Sequence, residues 1–205
     1  MMHKKVCLGL VGLLVMLLMG GAWAFAAVSG EALAYFPVGK PGNKWEYDLT
    51  IGEQNAGKLI YGVVKPEGDN MLVGIAFNGK IRSVVCYQES ERGLMRVKDA
   101  SGNVITNYSP AQLVLPAKME AGKKWDWTSE DGKMKEADAI IQPQGKITVP
   151  AGSFDSIMVS CEGVDANGVS YSDKSWYVKG IGMVREEYKY DGKLTVLKLN
   201  RYQVN

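Results

Sequence analysis

The sequence predicts an all-β protein of antiparallel strands, in which two internally duplicated meander halves are packed as a curled half-barrel or as a sandwich. Three observations predict this fold class. Polar and apolar residues alternate over short segments, turn sequences such as Asn-Gly and Asp-Gly separate these segments, and no convincing helix interrupts them. A sheet made of consecutive hairpins accounts for all three.

The first 26 residues have the pattern of a secretory signal peptide. A basic start at residues 3–5 precedes an uncharged run from Val6 to Met19, and small residues then alternate in the ladder Ala22-Trp23-Ala24-Phe25-Ala26. We therefore expect a periplasmic or secreted protein, soluble after cleavage, in which residues 27–205 form one domain. The uncharged stretch continues to Val28 and is long enough to cross a bilayer, so an uncleaved anchor is the alternative.

The first half of the predicted domain contains six segments of alternating character. In the first segment Trp45, Tyr47 and Leu49 share one face opposite charged residues, as in a half-buried strand. Asn78-Gly79 separates two segments and predicts a type I′ hairpin, because both central residues of that turn need a positive φ. The predicted strands are Lys44–Ile51, Lys58–Lys65, Met71–Phe77, Lys80–Gln88, Leu94–Lys98 and Val104–Tyr108.

The second half continues the same pattern. Between the halves, the segment from Ala111 to Glu120 contains Pro116 and has no sustained helical stripe, so it is predicted to be a connector with at most one short turn. The predicted strands of the second half are Lys124–Thr128, Lys135–Gln142, Lys146–Val149, Phe154–Gly163, Val169–Val178, Met183–Tyr190 and Lys193–Gln203.

The two halves, about residues 36–108 and 115–202, share landmarks in the same order. The run from Gly42 to Tyr47 (GNKWEY) is matched by the run from Gly122 to Trp127 (GKKWDW), and Gly93-Leu94-Met95-Arg96 is matched by Gly182-Met183-Val184-Arg185. An internal duplication explains the shared order, and chance recurrence of common turn sequences is the alternative. One half alone would expose an apolar face and open edges, so we expect the two halves to pack together.

Three motifs of the mature chain belong together as one pattern. They are Phe36-Pro37 followed by residues 42–47, the run Val149-Pro150-Ala151-Gly152-Ser153-Phe154, and residues 176–184 (WYVKGIGMV). Their combination resembles a group of exported bacterial β-rich proteins and lipoproteins of unknown function. The resemblance implies a β-rich fold, with a loose likeness to the curled half-barrels of periplasmic lipoprotein carriers, and brings no catalytic residue with it. Unlike many members, this chain has no lipobox cysteine.

The charge balance argues against a polyanionic partner. The chain has 24 basic and 22 acidic residues. Without Lys4 and Lys5 both counts are 22, so no nucleic-acid partner is expected.

Two cysteines, Cys86 and Cys161, remain after processing. In an oxidising compartment they can form a disulfide if the fold brings their Cα atoms within about 7 Å. The alternative is a pair of small buried thiols.

The mature chain lacks the residues of familiar catalytic sites. The only histidine of the sequence, His3, lies in the predicted signal peptide, so the mature chain has none, and neither a Gly-x-Ser-x-Gly nor a Ser-x-x-Lys nucleophile motif is present. We therefore expect no enzymatic activity, no cofactor and no metal site. A carboxylate pair of the glycosidase type is the remaining catalytic alternative, with Glu46 and Asp126 as candidates at equivalent positions of the two halves.

The leading functional hypothesis is a non-catalytic binding protein that holds an apolar or amphipathic ligand, such as a lipid or a lipoprotein segment, between its halves. The alternative is a module that binds carbohydrate or the cell envelope through exposed aromatic rings; contact with a membrane stays open in either case. In both hypotheses the candidate ligand-lining residues are the strand aromatics, for which a purely structural role in the core is the competing interpretation. These aromatics are Trp45, Tyr47, Trp125, Trp127 and Trp176.

Overall fold

The computed structural model describes residues 30–64 and 66–205, and the predicted signal peptide lies outside the described residues. One short helix, α1, and twelve strands, β1 to β12, follow one another along the chain. Their bounds are α1 Glu31–Tyr35, β1 Lys44–Ile51, β2 Gln54–Val63, β3 Met71–Phe77, β4 Lys80–Ser90, β5 Gly93–Ser101, β6 Val104–Pro116, β7 Lys124–Thr128, β8 Lys135–Val149, β9 Gly152–Val164, β10 Ser170–Val178, β11 Gly182–Tyr190 and β12 Lys193–Gln203.

All twelve strands belong to one antiparallel sheet. Its order is β6-β5-β4-β3-β2-β1-β12-β11-β10-β9-β8-β7, so each strand lies beside its neighbours in sequence, and β1 also pairs with β12. We call β1–β6 the first half and β7–β12 the second half. The two halves continue into one curled sheet, which confirms the predicted all-β class and selects the half-barrel over the sandwich.

The sheet curls until its two edge strands, β6 and β7, approach each other. The Trp125 indole N–H donates to the carbonyl of Leu113 at 3.0 Å, and the Trp127 indole N–H donates to the carbonyl of Pro110 at 2.8 Å. We call this contact between β6 and β7 the seam. The seam brings the sheet close to a closed barrel. Within the described residues it has no backbone ladder: besides the two indole bonds, one backbone bond joins the Glu130 N–H to the carbonyl of Ser109.

One end of the barrel is closed by residues 30–38, which we call the plug. The plug is tied to both halves, because the Glu31 N–H donates to the carbonyl of Ala117 and the Gly180 N–H donates to the carbonyl of Ala34, at 2.9 and 2.7 Å. Phe36 follows α1 and points inward, with its ring centroid 5.6 Å from that of Trp45. Ala32, Phe36 and Val38 are buried, so the plug forms the apolar floor of the interior.

Most predicted strands are found, and the Asn78-Gly79 hairpin is confirmed by φ angles of 48° and 77°. The predicted connector is wrong in its first part, because residues 111–116 belong to β6. The edge position of β6 accommodates Pro116, since an edge strand can dispense with some backbone donors. The two strands predicted on either side of Pro143 are one strand, β8, with a register shift between Pro143 and Lys146. The helix α1 was not predicted.

Each half contributes six strands in meander order, while the common origin of the halves stays a prediction. Among the described residues, no helix has the length and hydropathy that a membrane crossing requires.

Candidate functional site

The interior of the barrel contains two cavities, one above the other. The lower cavity, about 210 Å³, lies against the plug, and the upper cavity, about 370 Å³, extends toward the turns at the opposite end. Apolar side chains of the lower cavity include Phe36, Ile75, Val85, Val114 and Met183. The aromatic side chains of the upper cavity are Tyr108, Trp127, Tyr171 and Tyr188.

Six side chains line both cavities, and we call them the polar belt. They are Arg96, Gln112, Glu136, Cys161, Asp173 and Glu186. Strand register places members of the belt at the same height, because Arg96 lies opposite Gln112 and Cys161 lies opposite Asp173 in their strand pairs. A band of polar groups therefore crosses the middle of an otherwise apolar and aromatic interior.

Arg96 is the only basic side chain that lines either cavity in the described part of the chain, and its charge is already paired. Its Nε donates to Oδ1 of Asp99 at 2.9 Å, and its guanidinium lies 4.8 Å over the ring of Tyr108. Tyr108 in turn donates its hydroxyl to Oδ2 of Asp99 at 2.9 Å. Arg96, Asp99 and Tyr108 thus form a self-contained neutral group.

The three carboxyl groups of the belt have no cationic partner of their own. Burial raises the pKa of Glu186 to about 7, although Arg96 opposes the shift. Burial raises the pKa of Asp173 well above its ordinary value, and the charge of Glu186 adds to that rise. Burial also raises the pKa of Glu136, against hydrogen bonds from Cys161 and Gln112 that lower it. Protons are therefore held in the interior near neutral pH.

Hydrogen bonding within the belt is incomplete. Glu136 accepts a bond from Nε2 of Gln112 at 2.8 Å, and Asp173 accepts one from the hydroxyl of Ser175 at 3.1 Å. Among the described residues, the Oε1 atom of Gln112 is buried and has no hydrogen-bond partner, and the residue is only 6% exposed. Such an atom costs free energy unless a donor reaches it, so the belt can accept a further hydrogen bond.

The structure divides the five predicted ligand-lining aromatics into two sets. Trp125 lines the lower cavity and Trp127 the upper one. Trp45 and Tyr47 are fully buried in the core, where they donate to the carbonyls of Ile181 and Met183 at 2.6 and 2.9 Å. Trp176 lines neither cavity, and the guanidinium of Arg185 lies 5.3 Å over its ring.

The two cysteines are free thiols, Cys86 on β4 and Cys161 on β9 in the belt, which corresponds to the alternative of two separate thiols and not to the possible disulfide. Burial and the neighbouring Glu136 raise the pKa of the Cys161 thiol, which keeps it protonated.

The candidate carboxylate pair is not brought together. Glu46 on β1 accepts a hydrogen bond from Arg201 at 2.9 Å and one from Lys58, and Asp126 on β7 accepts one from the backbone N–H of Asp138. Neither residue lines an interior cavity. Within the described residues, no group of three or more His, Cys, Asp or Glu side chains has the arrangement of a metal site.

The fold and its interior define a class: a curled, single-sheet β protein with a polar band inside an apolar barrel. The model of the DUF3108-like family, a domain of unknown function, matches residues 106–198, which extend from β6 into β12. This match confirms the predicted resemblance to an uncharacterised family. No curated protein sequence matches the chain.

Two solved structures are similar in fold. One is a predicted exported protein with a YmcC-like fold from Bacteroides fragilis, with 15% identity, coverage of 82% of this chain and 98% of that one, and a TM-score of 0.47. The other is a predicted lipoprotein from Parabacteroides distasonis, with 13% identity, coverage of 80% and 96%, and a TM-score of 0.44.

Proposed function

We propose that this protein is an exported, non-catalytic binding protein that holds a small amphipathic ligand inside the barrel, between its two halves. The observation that carries the proposal is the pair of stacked cavities that share the polar belt. A ligand in this interior meets apolar side chains at the plug and polar groups one layer higher. Binding sites for small molecules commonly combine a mostly apolar lining with a few polar groups in this way.

The belt favours an amphipathic ligand over a wholly apolar one. An acyl chain passing the belt would cover Glu136, Asp173 and Glu186 without offering them a hydrogen bond, and burying unpartnered polar groups is costly. The cavities, about 210 and 370 Å³, also suit a single alkyl chain or a small ring system better than a lipid with two chains.

Native mass spectrometry of the protein purified from its host tests this proposal. We expect a co-purified small molecule that is lost on denaturation. A cavity-filling variant, Val85→Trp, should abolish the adduct because Val85 lines the lower cavity. Val84→Trp is the matched control, since Val84 is adjacent on β4 but lines neither cavity. Protein that is always bare, or an adduct that survives in the folded Val85→Trp variant, contradicts the proposal.

A glycan is the second candidate ligand, and the aromatic lining of the upper cavity favours it. Trp127, Tyr108, Tyr171 and Tyr188 line this cavity beside the carboxylate of Asp173, and aromatic faces with nearby polar groups suit sugar rings. Titration with soluble envelope oligosaccharides, followed by tryptophan fluorescence, tests it. We expect a saturable change that Trp127→Phe reduces, and an unchanged spectrum contradicts this candidate.

A further inference from the structure

We propose that the ligand carries an ammonium group, which sits among the carboxylates of the polar belt while the apolar part of the ligand lies in the lower cavity. This inference rests on the proposed function, because it names the chemistry of the polar end of an amphipathic ligand. It follows from three features of the interior: its charge, its hydrogen bonding and its aromatic lining.

The charge of the belt calls for a cation. Glu136, Asp173 and Glu186 line the same two cavities, and the single guanidinium available there, that of Arg96, is paired with Asp99. Within the described residues, no hydrogen bond or ion pair involves the Glu186 carboxylate. Buried carboxylates are stabilised by a paired positive charge or else by protonation. A cationic ligand supplies the first of these, whereas an anionic ligand would add to the repulsion.

The hydrogen-bonding capacity of the belt also fits an ammonium group. Oε1 of Gln112 is a buried acceptor without a donor, on a side chain that lines both cavities, and the three carboxylates add further acceptor positions. An ammonium group has three N–H donors and no acceptor, so it can serve several of these atoms at once. A hydroxyl group has one donor and would leave more of them without a partner.

The aromatic lining provides the third feature. Tyr108, Trp127, Tyr171 and Tyr188 line the upper cavity together with the belt. The faces of aromatic rings attract cations, and rings arranged around a cavity are a known means of holding alkylammonium groups. The ring of Tyr108 already lies under the Arg96 guanidinium, so this interior is one in which a cation rests on an aromatic face.

Isothermal titration calorimetry with three ligands of equal chain length tests the inference. The probes are n-octylamine, which is cationic at neutral pH, n-octanol, which is neutral, and octanoate, which is anionic. We expect octylamine to bind about tenfold or more tightly than octanol, and octanoate to bind most weakly. Equal or tighter binding of octanol or octanoate overturns the inference while the proposed function stands. Failure of all three to bind overturns the inference, and bare protein in the native mass spectra overturns the proposed function as well.

Isosteric variants locate the ammonium group. Glu186→Gln and Asp173→Asn each remove one charge with little change in volume, so we expect each to weaken octylamine binding about tenfold and to leave octanol binding unchanged. Glu187→Gln is the matched control, because Glu187 is adjacent on β11 but is paired with Arg185 and lines neither cavity. Undiminished octylamine affinity in both belt variants overturns the inference. The ligand series on the unmodified protein decides the question even if a variant does not fold.

Discussion

The two halves of the barrel meet twice, and the two junctions are built differently. At the first junction β1 and β12 form a backbone ladder along the whole of β1, from Lys44 to Ile51. At the seam, β6 and β7 are edge strands, and indole N–H groups of β7 donate to carbonyls of β6. The same kind of sequence lies at both places, since an aromatic-acid-aromatic triplet occupies both β1 (residues 45–47) and β7 (residues 125–127).

The same triplet has a different role at each junction. On β1, within a complete ladder, Trp45 and Tyr47 are fully buried and serve the core. On β7 there is no ladder on one side, so Trp125 and Trp127 replace it with side-chain bonds and their rings line the cavities. Pro110 and Pro116 help to explain why β6 stays an edge, because a proline has no N–H to donate to a neighbouring strand.

Removal of a whole indole should separate the two junctions most strongly. We expect Trp45→Ala to lower the free energy of unfolding by about 3–5 kcal/mol, because it leaves a cavity in the core beside Phe36. Trp125→Ala should cost about 1–3 kcal/mol, since Trp125 is half-buried and borders a cavity already. Chemical denaturation measures both losses, provided that the free energy of unfolding depends on denaturant concentration with the same slope in the variants and in the unmodified protein. Equal losses would show that the seam is as tightly packed as the ladder junction.

Removal of the indole N–H groups alone should affect the seam in particular. In the double variant Trp125→Phe and Trp127→Phe, each lost hydrogen bond should cost about 1 kcal/mol, while most of the ring volume remains. Hydrogen exchange should then accelerate in β7, which keeps only β8 as a laddered neighbour. Trp45→Phe is the control, and its exchange should not change in β7. Unchanged protection of β7 in the double variant would mean that the indole bonds do not hold the seam.

Sequence patterns predicted the strands well because alternation and turn chemistry are local. The Asn78-Gly79 hairpin, for example, needs only two residues that tolerate a positive φ. The seam could not be predicted in the same way, because the bonds from Trp125 to Leu113 and from Trp127 to Pro110 depend on how far the whole sheet curls. The predicted connector over residues 111–116 is wrong for a related reason: a proline on an edge strand has the same local sequence signal as a break in the strand.

The interior site was missed although part of its signal was present. Alternate residues of β10 share the face that lines the interior: Tyr171, Asp173, Ser175 and Tyr177. On this face the acid Asp173 lies between the aromatic residues Tyr171 and Tyr177. The matching signal on β11 was weaker, because the register shift between Trp176 and Tyr177 in the β10–β11 pair breaks simple alternation before Glu186. Arg96, Gln112 and Glu136 come close to these acids only when the sheet curls into a barrel. No single sequence segment predicts that curling.

The interior carboxyls should make the seam sensitive to pH. The pKa of the Glu186 carboxyl is near 4.5 in the unfolded chain and is raised to about 7 in the folded state. Between these two pH values the carboxyl is protonated in the folded protein but ionised in the unfolded chain. Stability without ligand therefore falls as the pH rises through this window and levels off above it. Asp173, with its raised pKa, acts in the same direction.

Repulsion between ionised carboxylates should open the junction that lacks a ladder. From pH 5 to pH 8, after correction for the intrinsic exchange rate, we expect hydrogen exchange to accelerate in β7 more than in β1 or β12. Glu186→Gln should reduce this acceleration and raise the melting temperature at pH 8 but not at pH 5, because the native side chain is already protonated there. Glu187→Gln, on the same strand, should leave both quantities unchanged. If β1 and β12 lose protection as readily as β7, the interior charge acts on the whole sheet, and the seam is not its weak point.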